Sequence, residues 1–291
     1  MFECVVIGVN GQDGIYLSRF LSKRGLKVIG VGRQSRQHTL LSGYLQSYIQ
    51  QDLTDELSYD LCNVVMSADH IFYCAALHGN KSFRSNIPKS ASKRVNLLLP
   101  LQICEKLKGK FTYFSTRLIF GEELKGTVSE KTGYNPGCLY SEQKAQFSFF
   151  YRNLPDTDKK KINIPIFFNH ESRLRKSEFL YNKILHSLMT DQNPIKFTDT
   201  LNFFNDWGSA EDFMYHLSNN FEVHFGETIW ATGIMQYTSH AVRNAIGKNI
   251  ESNSCPELEY TVDTTRLKTF IPNFNSRILS TLLKGDINCS K

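Results

Sequence analysis

The seven residues Gly8-Val9-Asn10-Gly11-Gln12-Asp13-Gly14 constrain this chain more than any others. They follow an apolar, β-branched run, ECVVIG at 3–8, and lead into an amphipathic one, IYLSRFLSKR at 15–24. Gly8 lets the chain turn sharply off a strand. Gly11 lets the backbone approach a pyrophosphate with no side chain between them, and Gly14 lets the next helix pack close to the sheet. The N–H groups at the helix start then face the phosphates. Spacing alone leaves a purely structural glycine turn open. The strand-turn-helix context points instead to a dinucleotide site built from Gly8, Asn10, Gly11, Gln12, Asp13 and Gly14.

The rest of the first half keeps the alternation. KVIGVG at 27–32, DHIFYC at 69–74, KFTYFS at 110–115 and INIPIFF at 162–168 read as strands. The 15–24 segment reads as a helix with Tyr16, Leu17, Phe20 and Leu21 on one face, stopped by Gly25. Residues 92–107 read as a helix bent or interrupted at Pro100, and 137–152 as another. Such alternation implies right-handed crossovers and a parallel sheet covered on both faces. The expected class is α/β: a Rossmann doubly wound parallel sheet over 1–167 and a smaller C-terminal α/β substrate domain over 168–291. Segments around 195–232 are expected to return to the sheet. Further helices are expected at 176–189, 209–219 and 236–247, a polar surface loop with solvated lysines at 154–161, and a frayed tail from 285.

Charge bears on the ligand. Thirty-four basic residues against 28 acidic ones leave a net +6, spread along the chain. That suits an anionic small molecule and argues against a nucleic-acid partner, whose site would gather basic residues on one face. After the second strand stand Arg33 and Arg36, where an acidic residue would grip the ribose hydroxyls of NAD(H). Arginines there suit the 2′-phosphate of NADP(H), with solvated loop charges as the alternative. Asp52 and Leu53, after the next short strand, are placed to frame the adenine. Seven cysteines without a CxxC pair or zinc spacing read as reduced, mostly buried thiols, with no metal site. No signal peptide and no apolar stretch of membrane-spanning length is read, so a soluble cytoplasmic protein without a membrane partner is expected.

Tyr140-Ser141-Glu142-Gln143-Lys144 lies in a predicted helix, and a spacing of four puts both end residues on one face. An ammonium beside a phenol eases proton exchange at the tyrosine near neutral pH. The pair follows a strand ending in Ser115-Thr116, whose threonine is placed to hydrogen-bond a reacting oxygen. Thr116, Tyr140 and Lys144 are therefore the catalytic candidates, with Tyr140 and Lys144 also facing the cofactor.

At this point the residues resemble the extended short-chain dehydrogenase/reductase family of nucleotide-sugar epimerases, dehydratases and reductases, in particular the GDP-mannose 4,6-dehydratases. The resemblance rests on GVNGQDGIYLSRFL at 8–21, QDLTD at 51–55, CAALHGNKSF at 74–83 and FSTRLIFG at 114–121. It continues through YSEQK at 140–144, FFNHESRLRKSEFLYNKI at 167–184 and NDWGSAEDF at 205–213. It implies that Ala75 and Ala76 line the dinucleotide. Ser115, Asn169, Arg173, Arg175 and Lys183 would contact a nucleotide-diphosphate sugar. His170 is read as structural. A homodimer formed through the helix carrying Tyr140 is also implied.

Three departures narrow the activity. The dehydratases carry a glutamate where this chain has Leu118, and leucine moves no proton in a water elimination. Two family arginines that grip the diphosphate are replaced by Asn205 and Cys255. The leading expectation is an NADPH-dependent reductase of a nucleotide-linked 4-keto-6-deoxy sugar. A nucleotide-sugar 4-epimerase or dehydrogenase stands second; a 4,6-dehydratase and a catalytically silent dinucleotide-binding protein rank below.

Overall fold

The computed structural model describes residues 2–78, 87–190, 203–247 and 260–289. Residues 79–83 of the CAALHGNKSF stretch, residues 195–202 and Cys255 lie outside the described residues. The strands are β1 (Glu3–Ile7), β2 (Lys27–Gly32), β3 (Ser47–Gln50), β4 (His70–Tyr73), β5 (Lys110–Tyr113), β6 (Ser115–Thr116) and β7 (Gly126–Val128). They continue with β8 (Ile162–Phe167), β9 (Asn169–Glu171), β10 (Phe204–Ser209), β11 (Glu227–Trp230), β12 (Met235–Tyr237) and β13 (Tyr260–Val262). The helices are α1 (Gln12–Lys23), α2 (Tyr59–Ser67), α3 (Lys89–Lys93), α4 (Leu99–Lys106), α5 (Leu139–Arg152) and the single turn α6 (Asp156–Lys159). They end with α7 (Leu180–Thr190), α8 (Ala210–Asn220), α9 (Thr238–Ile246), α10 (Thr265–Phe270) and α11 (Leu279–Asn288).

The chain divides into two compact units. The first comprises Met1–Glu122, Gly133–Ile166 and Met214–Thr228; the second comprises Glu123–Thr132, Phe167–Phe213 and Ile229–Lys291. The main sheet runs β11-β8-β5-β4-β1-β2-β3, with β6 paired to β8. The neighbours from β3 through to β8 are parallel. Strand order grows one way from β1 to β3 and the other way from β4, so the carboxyl end of β1 lies at the topological switch point, where open α/β sheets bind ligands. The glycine turn begins there.

Packing explains the strands. Val5, Ile7, Ile29, Val31, Ile71, Tyr73, Phe111, Tyr113, Ile162 and Ile164 are buried with Leu61, Val65 and Phe147 from the covering helices. Near-continuous apolar strands are what a sheet buried on both faces requires. The second unit holds its own core, in which Tyr181, Ile184, Leu185, Trp207, Val242, Leu279 and Leu283 come together. Its sheets are small: β9-β10-β12, and β7 with β13.

Several elements depart from the sequence reading. Helix α1 begins at Gln12, three residues earlier than its apolar periodicity, with Gly11 as its N-cap. Its buried face is Gly14, Leu17, Ser18 and Leu21, with Ile15, while Tyr16 and Phe20 are only half-buried. Small side chains at 14 and 18 let the helix sit close to the sheet, which a purely apolar count does not register. Pro100 does not break its helix. The turn Arg94–Leu98 between α3 and α4 is π-helical, and the backbone stays helical through both junctions. The expected loop at 154–161 includes α6, and the expected tail from 285 is helical to Asn288, because Leu279, Leu282 and Leu283 dock α11 on the second core. Burial of the thiols is also less than expected. Of the six described cysteines, all free, Cys4 is buried, Cys62, Cys74, Cys104 and Cys138 are half-buried, and Cys289 is exposed. Among the described residues no helix is long and apolar enough to cross a membrane, and no three His, Cys, Asp or Glu side chains gather as a metal site.

Candidate active site

The three glycines of the first turn do different work. Gly8 has φ of +91°, and a Cβ there would lie 2.7 Å from the Ala75 nitrogen. A Cβ on Gly14 would stand 2.5 Å from the Gly8 carbonyl oxygen. Both are glycine for reasons internal to the fold. Gly11 is not: its φ is −78°, and a Cβ would meet only the Gly8 oxygen, at 3.3 Å. Gly11 is exposed, and no side chain caps the helix it begins. An open backbone surface at an uncapped helix N-terminus suits the diphosphate of a dinucleotide.

The loop after β2 is tied to this turn. Asn10 Oδ1 accepts from the His38 amide at 2.8 Å. Its Nδ2 donates to Gln34 Oε1 at 2.9 Å, to the Arg36 carbonyl at 3.2 Å and to the Tyr48 hydroxyl at 3.2 Å. Tyr48 in turn donates to the Gln34 carbonyl at 2.7 Å. Arg33 and Arg36 are exposed, and neither makes an ion pair among the described residues. Asp52 accepts from the Thr54 amide and hydroxyl, which hold its carboxyl below the ordinary range. Leu53 packs against the main core. Gln12 is buried and donates to Asp13 at 3.1 Å. Ala75 and Ala76 are half-buried in the segment after β4.

Tyr140 and Lys144 lie on the inner face of α5, 6% and 1% exposed. The Lys144 ammonium donates to the Phe114 carbonyl at 2.7 Å and stands 4.1 Å from the centre of the Tyr113 ring. It is 5.7 Å from the centre of the Tyr140 ring. Burial pushes the lysine pKa down to about 7. Ser115 and Thr116 follow Phe114 directly, in β6, which lies against α5. The Ser115 hydroxyl is buried with no hydrogen-bond partner among the described residues, and Thr116 Oγ1 accepts weakly from the Leu118 amide at 3.4 Å. Leu118 is half-buried, in a short 3₁₀ turn.

Four residues of this region escaped the sequence reading. His78 packs its ring on Tyr140, with centres 3.9 Å apart. Asn96 holds the segment that carries His78: its Oδ1 accepts from the Leu77 amide at 2.9 Å and its Nδ2 donates to the Leu77 carbonyl at 2.8 Å. Asn96 also donates to Gln143, the neighbour of Lys144, at 2.8 Å. Tyr113 supplies the aromatic face under the ammonium. The only signal for Asn96 was an amide in an otherwise apolar helical run, four residues before a proline.

In the second unit the two arginines expected to contact the substrate are occupied. Arg173 pairs with Asp286 at 3.2 Å. Arg175 pairs with Glu171 at 3.1 Å and lies over the Phe179 ring. Lys183 is exposed on α7, and Asn169 is half-buried in β9, in register with Trp207. The two arginines expected to replace the missing diphosphate grip thus hold acidic side chains of their own unit. Asn205 accepts from the Tyr260 hydroxyl at 2.7 Å, and the buried Asp206 carboxylate accepts from the amides of Thr232, Gly233 and Ile234. The His170 Nδ1 lies 2.9 Å from the Phe168 carbonyl and its ring stacks on Phe213.

The family model for GDP-mannose 4,6 dehydratase matches residues 5–272. The chain belongs to the GDP-mannose 4,6-dehydratase family. Similar relatives include GDP-mannose 4,6-dehydratase sdnI of Sordaria araneosa, 27% identical over 226 residues, or 72% of this chain and 41% of that protein. The GDP-mannose 4,6-dehydratase of Sinorhizobium fredii is 25% identical over 233 residues, covering 72% of this chain and 65% of that protein. The chain thus spans less than two thirds of the length of these family members. Among solved structures, dTDP-glucose 4,6-dehydratase from Bacillus anthracis in complex with NAD superposes with a TM-score of 0.78 at 15% identity, covering 99% of this chain and 96% of that one. UDP-glucose 4-epimerase from Thermotoga maritima gives 0.78 at 16% identity, covering 99% and 98%. At such identities these two establish the shared fold, a Rossmann-type α/β unit.

Proposed function

We propose that this family member reduces the C4 carbonyl of a nucleotide-linked 4-keto-6-deoxy sugar with NADPH. The carrying observation is what stands around α5. Tyr140 and Lys144 share the inner face of α5 and Thr116 stands in β6 against that helix, while the half-buried side chain at 118 is a leucine. Reduction needs one proton donor for the carbonyl oxygen. Elimination of water needs a further acid/base pair at neighbouring carbons, and Leu118 supplies neither part.

The open backbone at Gly11, the uncapped start of α1 and the unpaired Arg33 and Arg36 are the residues proposed to hold the cofactor, the arginines on the 2′-phosphate. When bound, the dinucleotide supplies a hydride. The Tyr140 phenol gives its proton to the oxygen as the C4 carbonyl becomes an alcohol. Lys144 favours the phenolate left behind, and Thr116 orients the oxygen. The proton on Tyr140 is then restored from solvent. The 49% exposed ring of Phe149 on α5 supports pairing of two copies through this helix. The free thiols support a reducing, cytoplasmic setting.

The test supplies NADPH and GDP-, CDP- or dTDP-linked 4-keto-6-deoxy sugars made in place by a dehydratase. Oxidation of NADPH with one alcohol formed per cofactor is the expected result. No turnover with any of the three overturns the proposal. Conversion of GDP-mannose without added ketone would instead identify a dehydratase, and interconversion of an intact nucleotide sugar without net NADPH use an epimerase.

A further inference from the structure

Pro100 has a consequence for the strands beneath its helix. In the π-helical turn before it, the Leu99 amide bonds the Arg94 carbonyl. Proline has no N–H to offer the carbonyls of Val95 or Asn96. Buried carbonyls need partners, and two tyrosines supply them. The Tyr73 hydroxyl, from β4, donates to the Val95 carbonyl at 2.6 Å. The Tyr113 hydroxyl, from β5, donates to the Asn96 carbonyl. Tyr113 is fully buried, and its ring stacks at 3.8 Å on Phe147 of α5. Lys144 Nζ is 4.1 Å from the centre of the same ring.

The ammonium has few other companions. Among the described residues, the groups facing it are Tyr113 from β5, the carbonyl of Phe114 just after it, Tyr140 from its own helix, and Cys74 after β4. None of these is a carboxylate, and burial raises the Cys74 thiol well above its ordinary range, so it is neutral. A desolvated cation without a counter-ion gains most from the negative face of an aromatic ring. We propose that Tyr113 is a positioning residue for Lys144: its ring face holds the charged lysine, while its hydroxyl serves the Asn96 carbonyl in the turn before Pro100. This role rests on the reading that Lys144 serves the reaction, and it adds a residue to which that reading gave no part.

The test replaces Tyr113 in the full chain with phenylalanine and with its mono-, di- and trifluorinated analogues. Volume is nearly constant along this series while the ring face becomes less negative. The Lys144 ε-carbon is followed by NMR through a pH titration, its resonance assigned by its loss in Lys144→Met. The expected result is that Tyr113→Phe titrates close to wild type and each fluorine lowers the lysine pKa, reaching roughly tenfold in ionisation constant across the series. An unmoved titration overturns the proposal. So does a shift in Tyr113→Phe as large as in the trifluorinated protein, which would assign the effect to the hydroxyl. Where NADPH turnover is present, the basic limb of its pH profile falls in step while the sugar KM stays constant. A stepwise titration without turnover on any ketone sinks the reduction reading and leaves Tyr113 its role; turnover with an unmoved titration does the reverse.

Discussion

The pocket around Lys144 and the arginine and aspartate cluster of the second unit both carry family motifs, yet they treat their polar groups in opposite ways. At Lys144, charge is left without a counter-ion among the described residues. Lys144 meets a carbonyl and a ring face. In the second unit the motif residues Arg173, Arg175 and Asp206 are spent on their neighbours. Arg175 holds Glu171, Arg173 holds Asp286, and Asp206 takes three amides and the Thr232 hydroxyl. Unsatisfied polarity is costly, so a fold keeps it where chemistry uses it. Satisfied polarity at a motif position marks a residue that holds the backbone.

The sharpest break between the two regions comes from Tyr140→Phe and Lys144→Met. Each is expected to lower NADPH-dependent turnover by roughly 10²–10⁴-fold, read in the ketone assay. Stability should not follow. The folded-state pKa of Lys144, about 7, lies below its ordinary 10.5, so the buried site disfavours the charged form. That disfavour is greatest at and below pH 7 and fades as pH rises toward 10. Lys144→Met is therefore expected to be at least as stable as wild type at pH 7, with wild type gaining on it as pH rises, by urea unfolding.

Asp206→Asn is the counterpart, and the expected loss is in folding. An amide nitrogen among three backbone donors should cost about 2–4 kcal/mol in urea unfolding. Burial raises the carboxyl from 3.8 to about 6. The folded state then holds this proton more tightly than the unfolded chain. The stability of wild type relative to the asparagine variant should accordingly increase as pH falls from about 6 toward 4 and reach its floor above 6.

Within the glycine turn the same contrast is testable at closer range. Gly14→Ala places a Cβ 2.5 Å from the Gly8 oxygen and should cost several kcal/mol of stability, roughly 1–3 or more as for overpacking. Gly11→Ala should unfold like wild type but bind NADPH at least about tenfold more weakly, by titration of nucleotide fluorescence, since one misplaced methyl of contact is worth about 1–3 kcal/mol.

The smallest effects concern the arginines. Replacing Arg33 and Arg36 by alanine should weaken NADPH roughly tenfold or more and leave NADH unchanged, since each exposed charge-assisted contact contributes about 1–2 kcal/mol. Arg173→Ala and Arg175→Ala should change ketone KM less than about threefold; Arg173→Ala should cost about 1 kcal/mol of stability or less, as a half-exposed ion pair does, and Arg175→Ala about 2 kcal/mol or more, because it strips the partner from the buried Glu171. A large KM effect there would return those arginines to the substrate and dissolve the contrast.

Much of this molecule was legible in one dimension. Short apolar, β-branched runs and the period-3.6 pattern mark β1, β2, β4, β5, β8, α1 and α5 because buried strands and amphipathic helices must bury those residues wherever the chain takes them. The same patterns carry no record of partners. A charged side chain reads alike whether it meets phosphate, as proposed for Arg33, or an aspartate 113 residues away, as Arg173 does. Short strands such as β7, β9, β12 and β13 exist through pairing and lack enough residues to show a period.

The sequence by itself determined the glycine turn, the strand-helix alternation, and the Tyr140–Lys144 pair, because each is a local spacing with a local physical cause. Tertiary structure decided which glycine is open, that Asn10 splints the loop of Arg33 and Arg36, and that a proline at 100 is answered by a tyrosine at 113 under Lys144. Those are contacts between residues distant in the chain, and only the folded sheet brings their atoms within reach.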